Sequence, residues 1–188
     1  MAQEQALIAQ YLLKRGNTLV ENLFAVLGGL VLVGALAQIS IPLPNTPVPI
    51  TGQTLGIALI ALLWGRKRGL SVVASYLVLG GLGLPVFASG KSGLLLGPTS
   101  GYLFGMFFAA GLMGFLADRG WTKSFLKTWF ATVLGSAITF SFGVWGLSFF
   151  THEGSLLQLG VLPFLPGDFI KSLFAASFVT SLQKYNTR

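Results

Sequence analysis

The sequence predicts an all-α integral membrane protein with six membrane-spanning helices, and three observations lead to this prediction. Of its 188 residues, 53% are hydrophobic and only 9% are charged, and the mean hydropathy is +0.77. Soluble domains carry about 25% charged residues, so this chain has too few ionisable groups to cover a surface in water. The apolar residues also form segments of membrane-spanning length, and the basic residues collect on alternate sides of them.

The spans follow from length and hydropathy. A helix needs about 20 mostly apolar residues to cross the hydrocarbon core of a bilayer. The predicted spans are 19–41, 54–64, 70–84, 101–117, 125–150 and 166–182, within a single domain of residues 19–188. The second span is short, and we expect the preceding PVPITGQ to extend it. Residues 1–18 form a separate amphipathic stretch that we expect at the membrane interface, without the pattern of a cleavable signal peptide.

The basic residues predict the orientation. Ten of the twelve Lys and Arg precede the first span, follow the last, or lie between spans two and three or four and five. Only Lys91 and Lys171 remain for the other side. The positive-inside rule then predicts that both termini are cytoplasmic. The formal net charge of +7 is therefore a topology signal, and we expect no nucleic-acid partner.

The three connections on the outer side are rich in Pro and Gly but mostly apolar. Non-helical backbone at membrane depth is tolerated only where protein buries it or a cavity wets it. We therefore expect these loops to fold back over the helices and roof a pocket. The polar residues that they would contribute to its lining are Thr46, Thr51, Gln53, Ser89, Lys91, Thr99 and Tyr102.

The first outer loop, PLPNTPVPITGQ, contains four prolines within eight residues. Proline fixes φ and removes a backbone donor, so the segment is expected to be an extended, stiff connector. It leads to Gln53, whose amide can both donate and accept hydrogen bonds. Gln53 either contacts a ligand or caps the helix that follows, and the sequence leaves both roles open.

The pair Asp168 and Lys171, in PFLPGDFIKS, is the most informative feature. Charged groups in a membrane segment are costly and usually mark substrate or ion routes. Spacing of i, i+3 puts both residues on one helix face, where they would neutralise each other in the absence of a ligand. Capping of the helix start would explain Asp168, but it leaves Lys171 unexplained. We therefore interpret the pair as part of a binding site.

The first span carries a stripe of small residues at i, i+4 spacing: Ala25, Gly29, Val33 and Ala37. Small residues on one face allow two helix backbones to approach closely. The stripe serves either packing within the chain or docking to a membrane partner.

Catalysis has little support in this sequence. There is no cysteine, only one histidine and only five acidic residues, so no nucleophile or metal set is visible. The segment SGKSG departs from the phosphate-binding GxxxxGK[ST] pattern. We expect no enzyme activity, no metal and no cofactor.

Four segments together resemble the BioY family, the biotin-binding S-components of energy-coupling factor (ECF) transporters. They are AQISIPLPNTPVPITGQTLG (37–56), GLGLPVFASGKSG (81–93), LLGPTSGYLFG (95–105) and PFLPGDFIKS (163–172). The resemblance runs from the first span to the last. It implies a six-helix S-component fold in the cell membrane, with a pocket closed from outside by the first and second outer loops.

The resemblance also implies biotin as the ligand. A carboxylate at Asp168 suits the ureido N–H groups, and Lys171 suits either the ureido oxygen or the carboxylate of biotin, while Phe87 and Tyr102 would supply apolar walls. The small-residue stripe would dock to a transmembrane coupling subunit that carries two ATPase subunits. The alternatives are an S-component for another vitamin, a self-sufficient biotin facilitator, an intramembrane enzyme acting on lipid, or a scaffold subunit.

Overall fold

A computed structural model of the chain describes residues 19–93, 96–151 and 155–186. The predicted amphipathic stretch 1–18 lies outside these residues. The elements, in chain order, are α1 (Leu19–Gln38), β1 (Ser40–Leu43), β2 (Thr46–Thr51), α2 (Gln53–Gly81), α3 (Ser100–Asp118), α4 (Phe125–Leu147), the short α5 (Leu156–Gly160) and α6 (Leu165–Asn186). Single 3-10 turns occur at Ala88–Gly90, Trp121–Lys123 and Leu162–Phe164.

The predicted class of helical membrane protein is confirmed. Within the described ranges, four helical segments are long and apolar enough to cross a membrane: Leu19–Gln38, Ser100–Asp118, Phe125–Leu147 and Leu156–Tyr185. They coincide with the first, fourth, fifth and sixth predicted spans. The outward side of α1 is a run of exposed apolar residues, as expected of a helix whose solvent is lipid.

The helix α2 contains the second and third predicted spans and is folded back on itself. Gly65 has φ 78° and ψ −178°, a backbone conformation that residues with a side chain rarely adopt. Gln53 and Tyr76 lie 23 positions apart, yet the amide nitrogen of Gln53 is 2.6 Å from the hydroxyl of Tyr76. In one straight helix they would be roughly 35 Å apart. Residues 53–64 and 66–81 are therefore two helical halves that pack against each other across the break at Gly65.

The first outer loop forms a β-hairpin, in which Ser40 pairs with Thr51 and Ile41 with Ile50. The expected extended connector is thus present. The prediction that PVPITGQ extends the second span as a helix is wrong, because most of this segment forms β2. Proline in a helix interior costs about 3 kcal/mol, and this segment contains two prolines, so a strand is the accessible structure. The hairpin ends at Gly52, whose amide donates to the carbonyl oxygen of Ile39 at 2.9 Å, and α2 begins immediately afterwards.

The small-residue stripe of α1 packs inside the chain. Gly29, Val33 and Ala37 are buried, and Ala25 is partly buried. A Cβ atom at Gly29 would meet the side chains of Trp64 and Val72 on the two halves of α2. The expectation of a docking face is therefore wrong for Gly29, Val33 and Ala37, and for Ala25 it stays a prediction. Their small size lets α1 approach the α2 hairpin closely, which is the alternative that the sequence left open.

The break in α2 is packed against α3 through Gly114. A Cβ atom added at Gly114 would lie 2.6 Å from the Cα atom of Arg66 and 2.8 Å from the carbonyl carbon of Gly65. Because these neighbours are backbone atoms, they cannot rotate away. Gly114 thus allows the reversal at Gly65 to lie directly on α3.

We expect Gly114→Ala to lower the free energy of unfolding by about 1–3 kcal/mol, because overpacking forces the two backbones apart. Thermal denaturation in detergent measures this. The matched control is Gly28→Ala, since Gly28 is also helical but a Cβ atom added there would have no neighbour within 4 Å. Alanine is the better helix former, so the control should melt at the same or a slightly higher temperature. Equal melting temperatures for Gly114→Ala and Gly28→Ala would contradict the close contact between Gly114 and the backbone at Gly65 and Arg66.

Candidate functional site

A cavity of about 210 Å³ lies under the β-hairpin, between the loop that follows α2 and helices α2, α3, α4 and α6. The pocket that was predicted beneath the connecting loops is therefore present. Its walls consist of Val48, Pro49, Ile50, Thr51, Gln53, Thr54, Phe87, Ala88, Lys91, Ser92, Gly93, Gly97, Thr99, Ser100, Tyr102, Leu103, Met106, Thr139, Phe140, Phe164, Asp168 and Lys171.

Most of the residues predicted from the sequence meet at this cavity. Six of the seven candidate ligand-binding residues line it: Gln53, Phe87, Lys91, Tyr102, Asp168 and Lys171. Among the further polar residues expected at the lining, Thr51 and Thr99 are present, and Thr46 is absent. The connecting loops and four helices thus bring together residues separated by more than one hundred positions in the chain.

Ser89 is the candidate that the structure does not bring to the cavity. It is exposed and lies in the 3-10 turn Ala88–Gly90, with φ 58° and ψ 33°. This left-handed conformation is uncommon for residues other than glycine and fits a tight turn. The prediction of Ser89 as a lining residue is therefore wrong, because the turn directs Phe87, Ala88 and Lys91 to the cavity instead.

Asp168 lies in the first turn of α6 and is bonded across to α4. Its Oδ1 atom accepts a hydrogen bond of 2.9 Å from the hydroxyl of Ser136. Among the described residues, no hydrogen bond joins its carboxylate to the backbone at the start of α6, so capping does not account for it. None of the described residues donates a hydrogen bond to the Oδ2 atom of Asp168. This oxygen remains available to a ligand in the cavity.

Lys171 lies one turn further along α6 and reaches the start of α2. Its ammonium donates to the backbone oxygen of Thr51 at 3.2 Å and to the hydroxyl of Thr54 at 2.8 Å. An ammonium has three N–H donors, so one remains for a ligand. Asp168 and Lys171, both within the described ranges, form no direct ion pair within 4 Å. Each side chain is instead bonded to a different helix, and the expectation that the pair neutralises itself in the absence of a ligand stays a prediction.

Gln53 occupies the first position of α2 and is almost fully buried, with 4% of its surface exposed. Its amide nitrogen donates to the hydroxyl of Tyr76, and its side-chain oxygen accepts from the hydroxyl of Thr51 at 3.0 Å. These side-chain contacts fix its amide at the cavity wall. The sequence left two roles open for Gln53, ligand contact and helix capping. Both hydrogen bonds go to side chains and not to the helix backbone, so Gln53 does not cap α2.

Aromatic rings form the apolar walls of the cavity. Phe87 contacts the ring of Tyr76 edge-on, with ring centroids 5.3 Å apart. Tyr102 packs against Phe164 with centroids 6.3 Å apart, and its hydroxyl donates to the carbonyl oxygen of Gly160 at 2.7 Å. Because the Tyr102 hydroxyl is used by the protein, Tyr102 offers its ring face to a ligand rather than its polar end.

Four further residues, which the sequence did not single out, shape the site: Thr54, Tyr76, Ser136 and Thr139. Thr54 follows the predicted Gln53 directly, and Ser136 and Thr139 share one face of α4 with i, i+3 spacing, which a search for polar stripes on apolar helices would find. In the sequence, Tyr76 has the pattern of a packing or interface aromatic. It is fully buried and its hydroxyl makes two hydrogen bonds, a role that its position in the sequence does not reveal.

The arrangement suits reversible binding of a small molecule with both donors and acceptors. It offers a carboxylate oxygen and an ammonium hydrogen on neighbouring turns, a buried amide, and apolar walls, which is the usual composition of a ligand pocket. Among the described residues there is no group of three or more His, Cys, Asp and Glu that would hold a metal ion.

Known proteins resemble the chain in sequence and in fold. The sequence profile of the BioY family matches residues 6–188. The biotin transporter BioY of Thermotoga maritima is 41% identical over 158 residues, which are 82% of this chain and 90% of that protein. The probable biotin transporter BioY of Pyrococcus horikoshii is 33% identical and covers 86% of this chain and 94% of its own length.

The fold also matches a solved structure. It is the crystal structure of the S-component for biotin from an ECF-type ABC transporter, with a TM-score of 0.78 and 31% sequence identity. The match covers 88% of this chain and 92% of that chain. Sequence and fold thus agree over nearly the same part of the molecule.

Proposed function

The chain belongs to the BioY family, and from this membership and the site geometry we propose that it is the membrane-embedded biotin-binding subunit of an ECF-type transporter. It is a transport protein rather than an enzyme, and it resides in the cell membrane as a multi-pass protein. The proposal rests on two polar groups on α6. Asp168 has an accepting oxygen, and Lys171 has a donating hydrogen, and the described residues use neither of them.

The ureido ring of biotin complements this pair. It carries two N–H donors and one carbonyl acceptor, so its N–H groups would bond to the Asp168 carboxylate and its oxygen to the Lys171 ammonium. Hydrogen bonds to charged groups contribute roughly 1.5–3 kcal/mol each, more than neutral ones. Because Ser136 and Thr54 hold the two charged groups apart and in place, little reorganisation is required when the ligand binds.

The carboxylate of biotin would then point towards Lys91. A second carboxylate beside Asp168 would be repelled, whereas the opposite end of the molecule reaches the loop in which Lys91 lines the cavity. The thioether ring would pack between the aromatic walls formed by Phe87, Tyr102 and Phe164. We therefore assign Lys171 to the ureido end, one of the two options that the sequence left open.

The finer topology is also part of the proposal. We propose six spans with both termini in the cytoplasm, counting the two halves of α2 separately because they reverse direction at Gly65. Arg66 and Lys67 are exposed at this reversal, which is the position that the positive-inside rule expects for a cytoplasmic turn. The cavity, at the end of the helices opposite this turn, then opens to the outside.

Energy for uptake would come from partners. We propose that the chain docks to a transmembrane coupling subunit that carries two ATPase subunits, because no nucleotide-binding motif is present in its own sequence. Gly29, Val33 and Ala37 are buried within the chain, so we propose that another face of α1 makes this contact. The opposite face of α1 is exposed and apolar, and Gly28 on it offers close approach to another helix or to lipid.

The test is isothermal titration of the purified full chain in detergent with biotin. We expect binding without nucleotide, and biotin at a hundredfold excess over its dissociation constant should stabilise the fold by about 2.7 kcal/mol in thermal denaturation. Liposomes that contain this chain alone should show no ATP-dependent accumulation, whereas liposomes that also contain the coupling module should.

Two controls separate the alternatives. Other vitamins, titrated in the same way, should give no heat, and a tighter ligand among them would replace biotin in the proposal. Accumulation of biotin against a gradient by the chain alone would indicate a self-sufficient transporter and contradict the need for a coupling module. Failure to bind any vitamin would favour a scaffold subunit.

A further inference from the structure

Part of the cavity wall is a loop that is anchored by residues outside the cavity. We call residues 86–93 the rim loop. Tyr76 is fully buried, and its hydroxyl donates to the carbonyl oxygen of Val86 at 2.9 Å. Gln38, at the end of α1, donates to the carbonyl oxygen of Phe87 at 3.3 Å and accepts from the amide of Gly90 at 2.9 Å. Neither Tyr76 nor Gln38 lines the cavity.

The ring of Tyr76 also seats the inner residue of the rim loop. Its centroid is 5.3 Å from that of Phe87, which lines the cavity. On the same half of α2, Gly80 leaves room for the Phe87 ring, and any side chain there would collide with it. The amide of Gly93 donates to the carbonyl oxygen of Gly80 at 2.8 Å and closes the loop against the helix. The rim loop is thus fitted to one helix, α2.

A chain of hydrogen bonds joins this anchor to the charged pair at the other side of the cavity. Lys171 donates to the backbone oxygen of Thr51 at 3.2 Å, and the Thr51 hydroxyl donates to the side-chain oxygen of Gln53 at 3.0 Å. Gln53 in turn donates to the hydroxyl of Tyr76 at 2.6 Å. A tyrosine hydroxyl has a single hydrogen, so donation from Gln53 directs that hydrogen towards Val86.

We propose that Tyr76 is a positioning residue that links occupancy of the cavity to the closure of the rim loop. A ligand bound to Lys171 and Gln53 fixes the orientation of the Gln53 amide, and this orientation keeps the Tyr76 hydroxyl directed at the loop. The loop then slows departure of the ligand. This inference deepens the proposed function and takes biotin from it as the ligand, but the anchoring of the loop by Tyr76 does not depend on which ligand binds.

The test is Tyr76→Phe, which removes one oxygen and keeps the ring that contacts Phe87. We expect the dissociation rate of biotin to rise by about fivefold or more and the association rate to change less than about twofold, because affinity differences between related complexes lie mainly in dissociation. Trypsin gives a second readout, since Lys91 is the only Lys or Arg between residues 82 and 99. Cleavage after Lys91 should become faster, and biotin should slow it by a smaller factor than in the wild type.

Two variants complete the design. Thr128→Val is the control, because it also removes a buried, hydrogen-bonded hydroxyl. Thr128 bonds to Thr180 and lies far along α4 from the rim loop, so both readouts should stay at the wild-type value. Gln38→Ala removes the outer anchor and leaves the chain from Lys171 intact. Cleavage after Lys91 should rise, and biotin should still slow it.

An increase in the dissociation rate of Tyr76→Phe without faster cleavage after Lys91 would overturn the inference, as would no change in either. If the wild-type chain binds no biotin, the proposed function fails, while the ligand-free cleavage rates still decide whether Tyr76 anchors the loop. Should Tyr76→Phe fold poorly, Thr51→Val interrupts the same chain one step earlier. Thr51→Val should likewise reduce the protection of Lys91 by biotin, and protection equal to that of the wild type would contradict the link.

Discussion

Replacing Asp168 by asparagine is expected to weaken biotin binding by at least about tenfold, which corresponds to roughly 1.4 kcal/mol. The carboxylate is the acceptor proposed for the ureido N–H groups, and a neutral amide gives up the charge-assisted part of those bonds. The amide also presents N–H donors where the ligand has donors of its own. Isothermal titration of the purified variant in detergent measures the change.

Asp118→Asn is the matched control for this substitution. It removes the same charge from the chain, but Asp118 lies at the far end of α3, where it accepts from the backbone amide of Arg66 at 3.0 Å and lines no part of the cavity. The affinity of the Asp118→Asn variant for biotin should stay within about twofold of wild type, since distant sites contribute independently. Unchanged affinity in Asp168→Asn itself would remove Asp168 from the site, and a melting temperature like that of the wild type would exclude unfolding as the cause of any loss.

Replacing Lys171 by alanine is expected to have an effect at least as large. The substitution removes the donor proposed for the ureido oxygen, and it also leaves the backbone oxygen of Thr51 and the hydroxyl of Thr54 without the ammonium that holds them. A buried acceptor that loses its donor also costs about 1–3 kcal/mol of stability, with or without ligand. We expect a loss of affinity of about tenfold to a hundredfold in the same titration.

Lys171→Met and Lys184→Ala separate the contributions. Methionine keeps the apolar stem of the side chain and removes only the ammonium, so it should lose nearly as much affinity as alanine. Lys184 is an exposed lysine near the other end of α6, and its replacement by alanine should not change biotin binding. Full affinity in Lys171→Met would show that the stem, and not the charge, supports the site.

Much of this molecule could be predicted from the residues alone. A membrane excludes charge from its core, so hydropathy and the positions of Lys and Arg predicted the class and the spans 101–117, 125–150 and 166–182 within a few residues. The same cost makes Asp168 and Lys171 conspicuous within an apolar stretch of sequence. The four prolines before Gln53 predicted an extended connector because their φ angles are fixed by covalent chemistry.

Which surfaces pack against each other could not be predicted from the sequence, because the same residues suit more than one contact. Ala25, Gly29, Val33 and Ala37 are equally suited to a partner helix and to a helix of the same chain, and the tertiary structure buries most of them against α2. Ser89 is polar and lies in the correct loop, but the turn there has a left-handed backbone that exposes it.

By itself the sequence determined that this is a membrane protein with a charged pair near one end of its last helix and a stiff loop nearby. Only the tertiary structure decided that Asp168 bonds to Ser136, that Lys171 bonds to Thr51 and Thr54, and that Tyr76 joins Gln53 to the rim loop. The physical reason is distance along the chain. Hydropathy and backbone preferences act over a few residues, whereas these hydrogen bonds join residues 10 to 120 positions apart and exist only once the helices have packed.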